Sequence, residues 1–373
     1  MTSLSGLFPS SSAEPGDELD RAERSLGRAE QMIRLLDRVL PQNLAPERER
    51  LSRALGAGRV AEPRFQYAAA PEVDALRPFL ASLAGTMSGL GPLGQLYAER
   101  ARELELEAAL VSAAGRREFL SLARRRHAPE ALASRAETDA LVAAWLSDPA
   151  PECEPPEARV RADDAGDPRS LLSVLRARVG ALRAPVRIEL RPGLPSVAAA
   201  GDGFVVIRPE ARLSPLDAER IACHELSAHV LPRLSARRER QGIFRVGARG
   251  SSDEEEGRAL LLEGRAGFLR AGRRRELALR HESARLTLEG ASWSDVVRWL
   301  EAQGLAREQA IELGLRAARG GGLGREIVYI PAYLRVSREL LREPALERFF
   351  ERGRVTLDAA RVLRSVERRA QSD

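Results

Sequence analysis

The chain has 373 residues, which is enough for one large domain or two ordinary ones with a buried core. It is 44% hydrophobic and 30% charged, as is typical of a globular protein, and no apolar run approaches the roughly 18 residues that a membrane span needs. All 59 basic residues are arginine, aromatic residues make up only 4%, and the net charge is +5. A groove that binds single-stranded nucleic acid needs basic residues interleaved with aromatic ones, so we expect no nucleic-acid partner. The lack of a long apolar run likewise leads us to expect no membrane partner.

Cysteine usage and the first residues favour a cytoplasmic location. The two cysteines, Cys153 and Cys223, lie far apart in the sequence, so no disulfide framework is implied. Residues 1–17 lack the basic start and the apolar run of a secretory signal. We interpret Cys223, which directly precedes a histidine, as a small buried helix residue.

The first part of the chain is predicted to be helical. Residues 1–18 are rich in Ser, Pro and Gly, which predicts a disordered tail. Residues 19–147 form a predicted helical region, because apolar residues recur at helical spacing between Pro and Gly breaks. The predicted helices cover residues 20–40, 71–87, 94–114, 116–125 and 138–146.

A Pro-rich, acidic stretch at residues 148–168 predicts a linker to a second region, residues 169–373. In this region, residues 186–190 alternate with period two and residues 204–207 form a short apolar run. We predict that these are two strands joined through the turn residues 201–203. Further helices are predicted at residues 171–182, 251–263, 274–288, 292–302 and 307–318 and over most of 336–366. The fold class is therefore mainly helical α+β with a small sheet.

One of the predicted helices begins after Ser214 and carries the sequence His224-Glu225-Leu226-Ser227-Ala228-His229. Ser214 is a candidate N-cap, and the proline that follows it suits the first helical position. Zinc proteases use His-Glu-x-x-His, in which a four-residue step keeps both imidazoles on one helix face. A five-residue step rotates roughly 140° about the helix axis, against about 40° for four residues. His224 and His229 can share a metal only if the helix contains a π-type bulge, a distortion common at functional sites; otherwise the pair is a coincidence.

A catalytic zinc site needs a third protein ligand, and a following helix offers Glu254, Glu255 and Glu256. Ser252 and Glu255 match a capping box, which would engage Glu255 in the helix start. Glu254 fits a solvated acid in the first helical turn. Glu256 shares a helix face with Glu263, so it is the best placed of the three to turn inward.

Glu225 is the candidate general base, which would take a proton from the attacking water. The alternative is that Glu225 is an ordinary exposed helix residue. The other two histidines, His127 and His281, lie in Arg-rich helical surroundings, and we interpret them as surface residues.

Three ordered motifs give the chain a resemblance to a known family. The hexad of residues 224–229 is followed by Glu256-Gly257-Arg258-Ala259, and then by Arg319-Gly320-Gly321 and residues 324–330. In this order they resemble the QEGLA-motif metallopeptidase family. That family includes bacterial flavohemoglobin expression-modulating proteins and the animal microtubule-associated tyrosine carboxypeptidase. The resemblance runs from about residue 25 to residue 366.

The resemblance implies a zincin-like metallopeptidase with one zinc ion per chain. By it, His224, His229 and Glu256 would be the metal ligands and Glu225 the catalytic base. Arg258 stands where the family has Leu, but no departure from the family's sequence pattern removes a metal ligand or the catalytic base. The implied reaction is removal of residues from the C-terminus of a peptide or protein, as in a tyrosine carboxypeptidase.

A carboxypeptidase must also hold a terminal carboxylate, which the planar fork of arginine suits. Arg319 and Arg325 flank the glycine-rich stretch 320–324, and Tyr329 follows it, so these three are the candidate substrate-binding residues. The alternative for them is a structural role in ion pairs. Two other functions stay open, namely a zinc endopeptidase and a non-catalytic regulator with a relic metal site. The oligomeric state is not predicted.

Overall fold

The computed structural model describes residues 15–149 and 158–372. These residues form a mainly helical structure with small β-sheets, which confirms the predicted mainly helical α+β class. They divide into two compact units. The first unit contains residues up to Ala143 together with Glu276–Pro331, and the second contains Ala144–Arg275 together with residues from Ala332 onward. No helix in the described part of the chain is both long enough and apolar enough to cross a membrane.

The first unit is helical throughout its described residues. The helices that lie wholly in this unit are α1 (Pro15–Ile33), α2 (Leu35–Arg38), α3 (Leu44–Gly56), α4 (Pro71–Asp74), α5 (Leu76–Ser88), α6 (Gly91–Ser112), α7 (Glu118–Arg126), α15 (Trp293–Ala302) and α16 (Arg307–Gly322). The central element is α6, a 22-residue helix that packs against α1, α4, α5 and α7. Leu96, Leu104 and Leu110 of α6 are buried in this packing, as expected for a helix with neighbours on several faces.

Three helices contribute residues to both units, because the chain passes from one unit to the other within them. They are α8 (Arg135–Leu146), α14 (Ala271–Glu289) and α17 (Tyr329–Arg342). The helices that lie wholly in the second unit are α9 (Leu171–Leu182), α10 (Pro215–Cys223), α11 (Leu231–Ala236), α12 (Ile243–Val246), α13 (Ser251–Arg265), α18 (Glu347–Arg352) and α19 (Leu357–Ser372).

The second unit also contains the described strands. β2 (Arg187–Leu190), β4 (Phe204–Ile207) and β3 (Ala198–Ala200) form one sheet in the order β2-β4-β3, while β1 (Val160–Arg161) pairs with β5 (Arg212–Leu213). β2 runs parallel to β4, and β3 runs antiparallel to it. The buried face of β4 and the helices α9 and α10 share one apolar core. This core also contains Leu226 and Val230, so it fixes the segment that follows α10 against the sheet.

The predicted connection between the two strands is wrong, although the strands themselves do pair. Residues 186–190 and 204–207 were expected to join through residues 201–203, but those residues join β3 to β4. The β3 segment is Ala198-Ala199-Ala200, which carries none of the β-branched or aromatic residues that signal a strand. The sequence therefore could not reveal β3, which precedes the turn and lies antiparallel to β4, whereas β2 pairs with β4 in parallel from further back in the chain.

The predicted boundaries also differ from the observed ones. Helix α1 begins at Pro15, inside the predicted disordered tail 1–18, and residues 1–14 lie outside the described residues. Residues 150–157 of the predicted linker, with Cys153, likewise lie outside them. Residues 276–331 were assigned by sequence to the region 169–373, whereas they belong to the first compact unit. The sequence composition gives no sign of a domain boundary at residues 276 and 331, because both positions lie inside helices rather than in a linker.

The interpretation of His127 and His281 as surface residues is wrong. Each has only 2% of its surface exposed, and both line a cavity of about 420 Å³ in the first unit. Burial lowers the pKa of His127 well below its ordinary value and that of His281 to about 4. Both imidazoles are therefore neutral at pH 7. The arginine-rich sequence misled the interpretation, because exposed arginines such as Arg124 and Arg125 are close in sequence to a histidine that faces inward.

Candidate metal centre

The segment between the two motif histidines is a π-helix, His224–Val230, as the five-residue spacing predicted. It continues α10, whose start is set by the Ser214 side chain accepting a hydrogen bond from the Asp217 N–H. At the end of the segment the Leu231 N–H donates to the Leu226 carbonyl, an i to i+5 bond. The extra residue in the turn restores the alignment that a regular α-helix would lose.

The π-helix brings three donor groups together. The Nε2 atoms of His224 and His229 are 3.4 Å apart, and His224 Nε2 lies 3.4 Å from Oε2 of Glu256 on α13. One ligand atom from each of these three residues lies within 4.8 Å of the others. His229 and Glu256 are buried and His224 is half-buried. The predicted trio is thus placed at one point in the second unit.

The second nitrogen of each imidazole faces a carboxylate. His224 Nδ1 is 2.8 Å from Oε1 of Glu263, and His229 Nδ1 is 3.3 Å from Oε2 of Glu255. Because an ionised carboxylate can only accept, each Nδ1 carries the proton. Both Nε2 atoms then direct their lone pairs into the same space. The two lone pairs repel each other unless a metal cation or a proton lies between them. This carboxylate–histidine pairing is the usual support of metal-bound histidines.

Arginines keep these two carboxylates ionised. Burial alone would raise the pKa of Glu263, but Arg273, 3.0 Å away, and His224 lower it to about 2. Burial likewise opposes the charge of Glu255, whereas Arg233, 3.2 Å away, and His229 lower its pKa to about 2. Both carboxylates therefore accept hydrogen bonds at any pH near neutrality and cannot take up protons in a reaction.

His224 is held by acidic neighbours on two sides. Burial disfavours its charged form, but hydrogen bonds to Glu256 and Glu263 outweigh burial and raise its pKa to about 10. The negative charge of Glu225 acts in the same direction. In the absence of a metal, the His224 imidazole is therefore protonated, and its positive charge balances the negative charge of the carboxylates around it.

Glu225 differs from the other glutamates of the site. It is half-buried in the π-helix, and it forms no hydrogen bond or ion pair with the described residues. Glu255 and Glu263 are engaged by arginines and Glu256 by His224. Glu225 is thus the carboxylate of this group that remains available to accept a proton.

The predicted capping box at the start of α13 is wrong. The N-cap is Gly250 in the left-handed conformation, with no side-chain cap, and Ser252 lies within the helix. Glu255 is therefore not engaged in the helix start and instead meets His229. A sequence pattern places a helix start only within about two residues. The small difference between the predicted and observed starts of α13 was enough to assign Glu255 to the wrong partner.

Glu254 is buried, with 2% of its surface exposed, so the expectation that it is solvated is also wrong. Its carboxylate accepts the Leu357 N–H at 2.8 Å and pairs with Arg335 at 3.0 Å. Burial outweighs the effect of Arg335 and raises its pKa to about 7. Glu254 therefore braces α13 against α17 and α19 on the side away from the histidines.

Gly257, which follows Glu256 in the chain, allows α13 to approach α17 closely. A Cβ at this position would lie 2.4 Å from the Ala332 carbonyl carbon and 2.5 Å from its oxygen. Only glycine fits such a backbone contact. Cys223, immediately before His224, is buried at the end of α10, as predicted, and burial raises the pKa of its thiol.

The three predicted substrate-binding residues lie in the first unit. Arg319 is where α16 leaves helical geometry, and burial, with the neighbouring Arg316, lowers its pKa to about 10. The Arg325 guanidinium lies 5.7 Å from the centre of the Tyr329 ring. Gly320, beside Arg319, has φ +71° and donates its N–H to the Tyr67 hydroxyl.

A known family matches most of the chain. The sequence model of the family described as microtubule-associated tyrosine carboxypeptidase matches residues 55–370. The chain belongs to this family. The match confirms the resemblance found in the three motifs, and it includes every candidate site residue named above. Membership in the microtubule-associated tyrosine carboxypeptidase family places the chain among carboxypeptidase enzymes. No curated protein matches the chain.

Sequence reasoning missed the residues that support the histidines. Glu255 was assigned to the helix start, and Glu263 was noted only as a residue on the face of Glu256. Their spacing contained a usable signal, because Glu256 and Glu263 are two turns apart and both face the π-helix. Arg233 and Arg273 gave no signal among 59 arginines.

Proposed function

We propose that this chain is a zinc-dependent carboxypeptidase whose second unit contains a zincin-like catalytic centre. His224, His229 and Glu256 bind one zinc ion, and Glu225 is the catalytic base. The observation that supports this assignment is the convergence of three donor atoms on a π-helix, with both imidazoles backed by carboxylates. Two histidines and one glutamate form an established ligand set of catalytic zinc.

The distances between the donor atoms fit this metal. Ligand atoms about 2.0–2.1 Å from a tetrahedral zinc ion lie about 3.3–3.4 Å from one another. The Nε2–Nε2 separation of His224 and His229 and the separation of His224 Nε2 from the Glu256 oxygen are both 3.4 Å. The donor atoms therefore need little movement to accept the ion. Glu255 and Glu263 fix the tautomer that leaves both Nε2 atoms free to bind it.

The glutamates of the site have different roles in the proposed reaction. A zinc ion in such a site supplies Lewis acidity toward the scissile carbonyl and the attacking water. Glu225 accepts the proton of that water and delivers it to the leaving amine, because its carboxylate is otherwise unengaged among the described residues. Glu255 and Glu263 keep their negative charge throughout and hold the imidazoles in place.

We further propose that the substrate is the C-terminus of a peptide or protein, and that its last residue is tyrosine or a similar aromatic, in line with the family's name. Arg319, Arg325 and Tyr329 are proposed to recognise the terminal carboxylate. The Nε atom of Arg319 is buried without a hydrogen-bond partner among the described residues, which supports a ligand-binding role. The Arg325 guanidinium lies within cation–π distance of the Tyr329 ring, which places these two candidate residues side by side.

The test compares purified protein with a Glu225→Gln variant on peptides that end in tyrosine, with free or amidated C-termini. We expect about one zinc per chain in both proteins, and cleavage only of the free-acid peptide by the unchanged protein. The variant should lose at least about a hundredfold in kcat, since a general base contributes typically 10²–10⁴-fold. Equal cleavage of the amidated peptide would indicate a zinc endopeptidase. Zinc binding without any cleavage would favour a non-catalytic regulator, and absence of zinc would refute the assignment.

A further inference from the structure

The π-helix leaves one backbone carbonyl without its helical partner. In an α-helix the Ser227 carbonyl would accept the N–H of Leu231, but here that N–H donates to Leu226. The next N–H along the chain would be that of residue 232, which is a proline and has none. A partly buried carbonyl without a donor costs free energy, so another group must supply one.

Arg258 supplies this donor. Its guanidinium NH1 lies 3.4 Å from the Ser227 carbonyl oxygen and 3.4 Å from the Phe350 carbonyl oxygen. The side chain is buried, with the residue 5% exposed, and its guanidinium lies 6.0 Å from the centre of the Phe350 ring. Within the part of the chain that the structure describes, it forms no ion pair with a carboxylate. Its closest partners are thus two carbonyls and an aromatic ring. Three glutamates act on its charge from longer range, namely Glu351, Glu347 and Glu255. A buried cation in such surroundings is costly, so its position calls for a specific cause.

We propose that Arg258 is a positioning residue for the metal centre: it bonds the Ser227 carbonyl that Pro232 leaves without a donor, and so holds the π-helix in the register that directs His224 and His229 toward Glu256. Arg258 lies two residues after Glu256 on α13. The same helix therefore provides the carboxylate ligand and braces the backbone that carries the histidine ligands. This inference rests on the proposed zinc site for its effect on metal binding, but not for the hydrogen bond itself.

A double-mutant cycle tests this, because coupling between two substitutions isolates the shared interaction. The variants are Arg258→Leu, Pro232→Ala and the combination of both. An alanine in place of Pro232 restores an N–H that can donate to the Ser227 carbonyl, so the combination should recover what Arg258→Leu alone loses. The control is Arg265→Leu on the same helix, whose half-exposed side chain pairs with Glu347.

Three measurements are made on each variant: zinc affinity by chelator competition, the visible absorption spectrum of the cobalt-substituted protein, and the melting temperature without metal. We expect Arg258→Leu to weaken zinc binding roughly tenfold, as loss of a supporting group does, and to alter the cobalt spectrum. It should also lower the melting temperature of the metal-free protein. In the Pro232→Ala background, the same substitution should change all three much less. Arg265→Leu should leave zinc affinity and the spectrum unchanged.

Equal effects of Arg258→Leu in both backgrounds would overturn the proposal, since they would show that Arg258 acts elsewhere. Failure of the single variant to fold would support it if Pro232→Ala restores folding, and would contradict it if it does not. If neither the unchanged protein nor the control binds zinc, the proposed function fails. In that case the coupling of the melting temperatures of the metal-free proteins still decides whether Arg258 replaces the missing N–H.

Discussion

At the scale of single residues, the site shows how surroundings give four glutamates different properties. Glu255 and Glu263 are paired with arginines and held ionised, and each is bonded to a histidine. Glu256 faces the space between the imidazoles. Glu225 has no partner among the described residues. We therefore assign the same type of side chain three proposed roles, as support, ligand and base, according to which charges lie within a few ångströms of it.

Glu263→Gln should weaken zinc binding by about 10–100-fold, the usual effect of losing the carboxylate behind a metal-bound histidine. The amide can still accept from His224, but it carries no charge to stabilise the imidazole, and it removes the ion pair with Arg273. Zinc affinity measured by chelator competition checks this. The matched control is Glu254→Gln on the same helix, which contacts Leu357 and Arg335 instead. It should change stability but not zinc affinity, and equal losses in both variants would contradict the assigned support role.

At the scale of elements, the metal centre depends on two segments and on the close packing around them. The π-helix contributes both imidazoles of the candidate site, and α13 contributes the third candidate ligand and both carboxylates that face the imidazoles. α13 can take this position because Gly257 lets it approach the backbone of α17. A glycine inside a helix is unfavourable by itself, so its presence here reflects packing.

Gly257→Ala should lower the free energy of unfolding by about 1–3 kcal/mol, the usual cost of overpacking. The added methyl would lie 2.4 Å from the Ala332 carbonyl carbon, so the backbone of α17 must shift. Gly264→Ala, two turns further along α13, is the matched control, because its Cβ would meet Leu269 at 3.7 Å, an ordinary contact. It should be neutral or stabilise by up to about 1 kcal/mol. Urea unfolding of both variants checks the difference, and similar stabilities would contradict the close-approach explanation.

At the scale of the whole molecule, two buried groups, a histidine in the first unit and a glutamate in the second, contribute to stability with opposite dependence on pH. His281 has a pKa of about 4 in the folded first unit, below the ordinary value of 6.5, so the unfolded chain binds more protons between these values. Its contribution to stability is therefore lost as pH falls from 6.5 to 4. Glu254 in the second unit has a raised pKa of about 7, so its contribution increases as pH falls from 7 to 4.5.

His281→Gln should remove the first of these responses. Relative to the variant, the unchanged protein should lose up to about 3 kcal/mol of unfolding free energy between pH 6.5 and pH 4, since one pKa unit corresponds to about 1.36 kcal/mol. Urea unfolding of both proteins across this range measures the difference. Glu254→Gln should give a difference of the opposite sign between pH 7 and pH 4.5. A pH-independent difference for His281→Gln would show that the imidazole is not held neutral.

Features that rest on local interactions were predictable from the residues alone. The helical class, most helices, the Ser214 cap and the π-type bulge between His224 and His229 all follow from residue spacing and backbone hydrogen bonding. The bulge was predictable because only one local distortion can place two side chains five residues apart on one face.

Contacts between groups far apart in the sequence emerge only when the chain is folded. The tertiary structure paired Glu255 and Glu263 with the two histidines, buried His127 and His281, inserted β3 beside β4, and assigned residues 276–331 to the first unit. Apart from the two-turn spacing of Glu256 and Glu263, these outcomes have no local signal, because each depends on partners more than 20 residues away or on a strand without strand propensity. The physical reason is that burial and charge pairing are properties of the packed chain, whereas helix starts and bulges are properties of neighbouring residues.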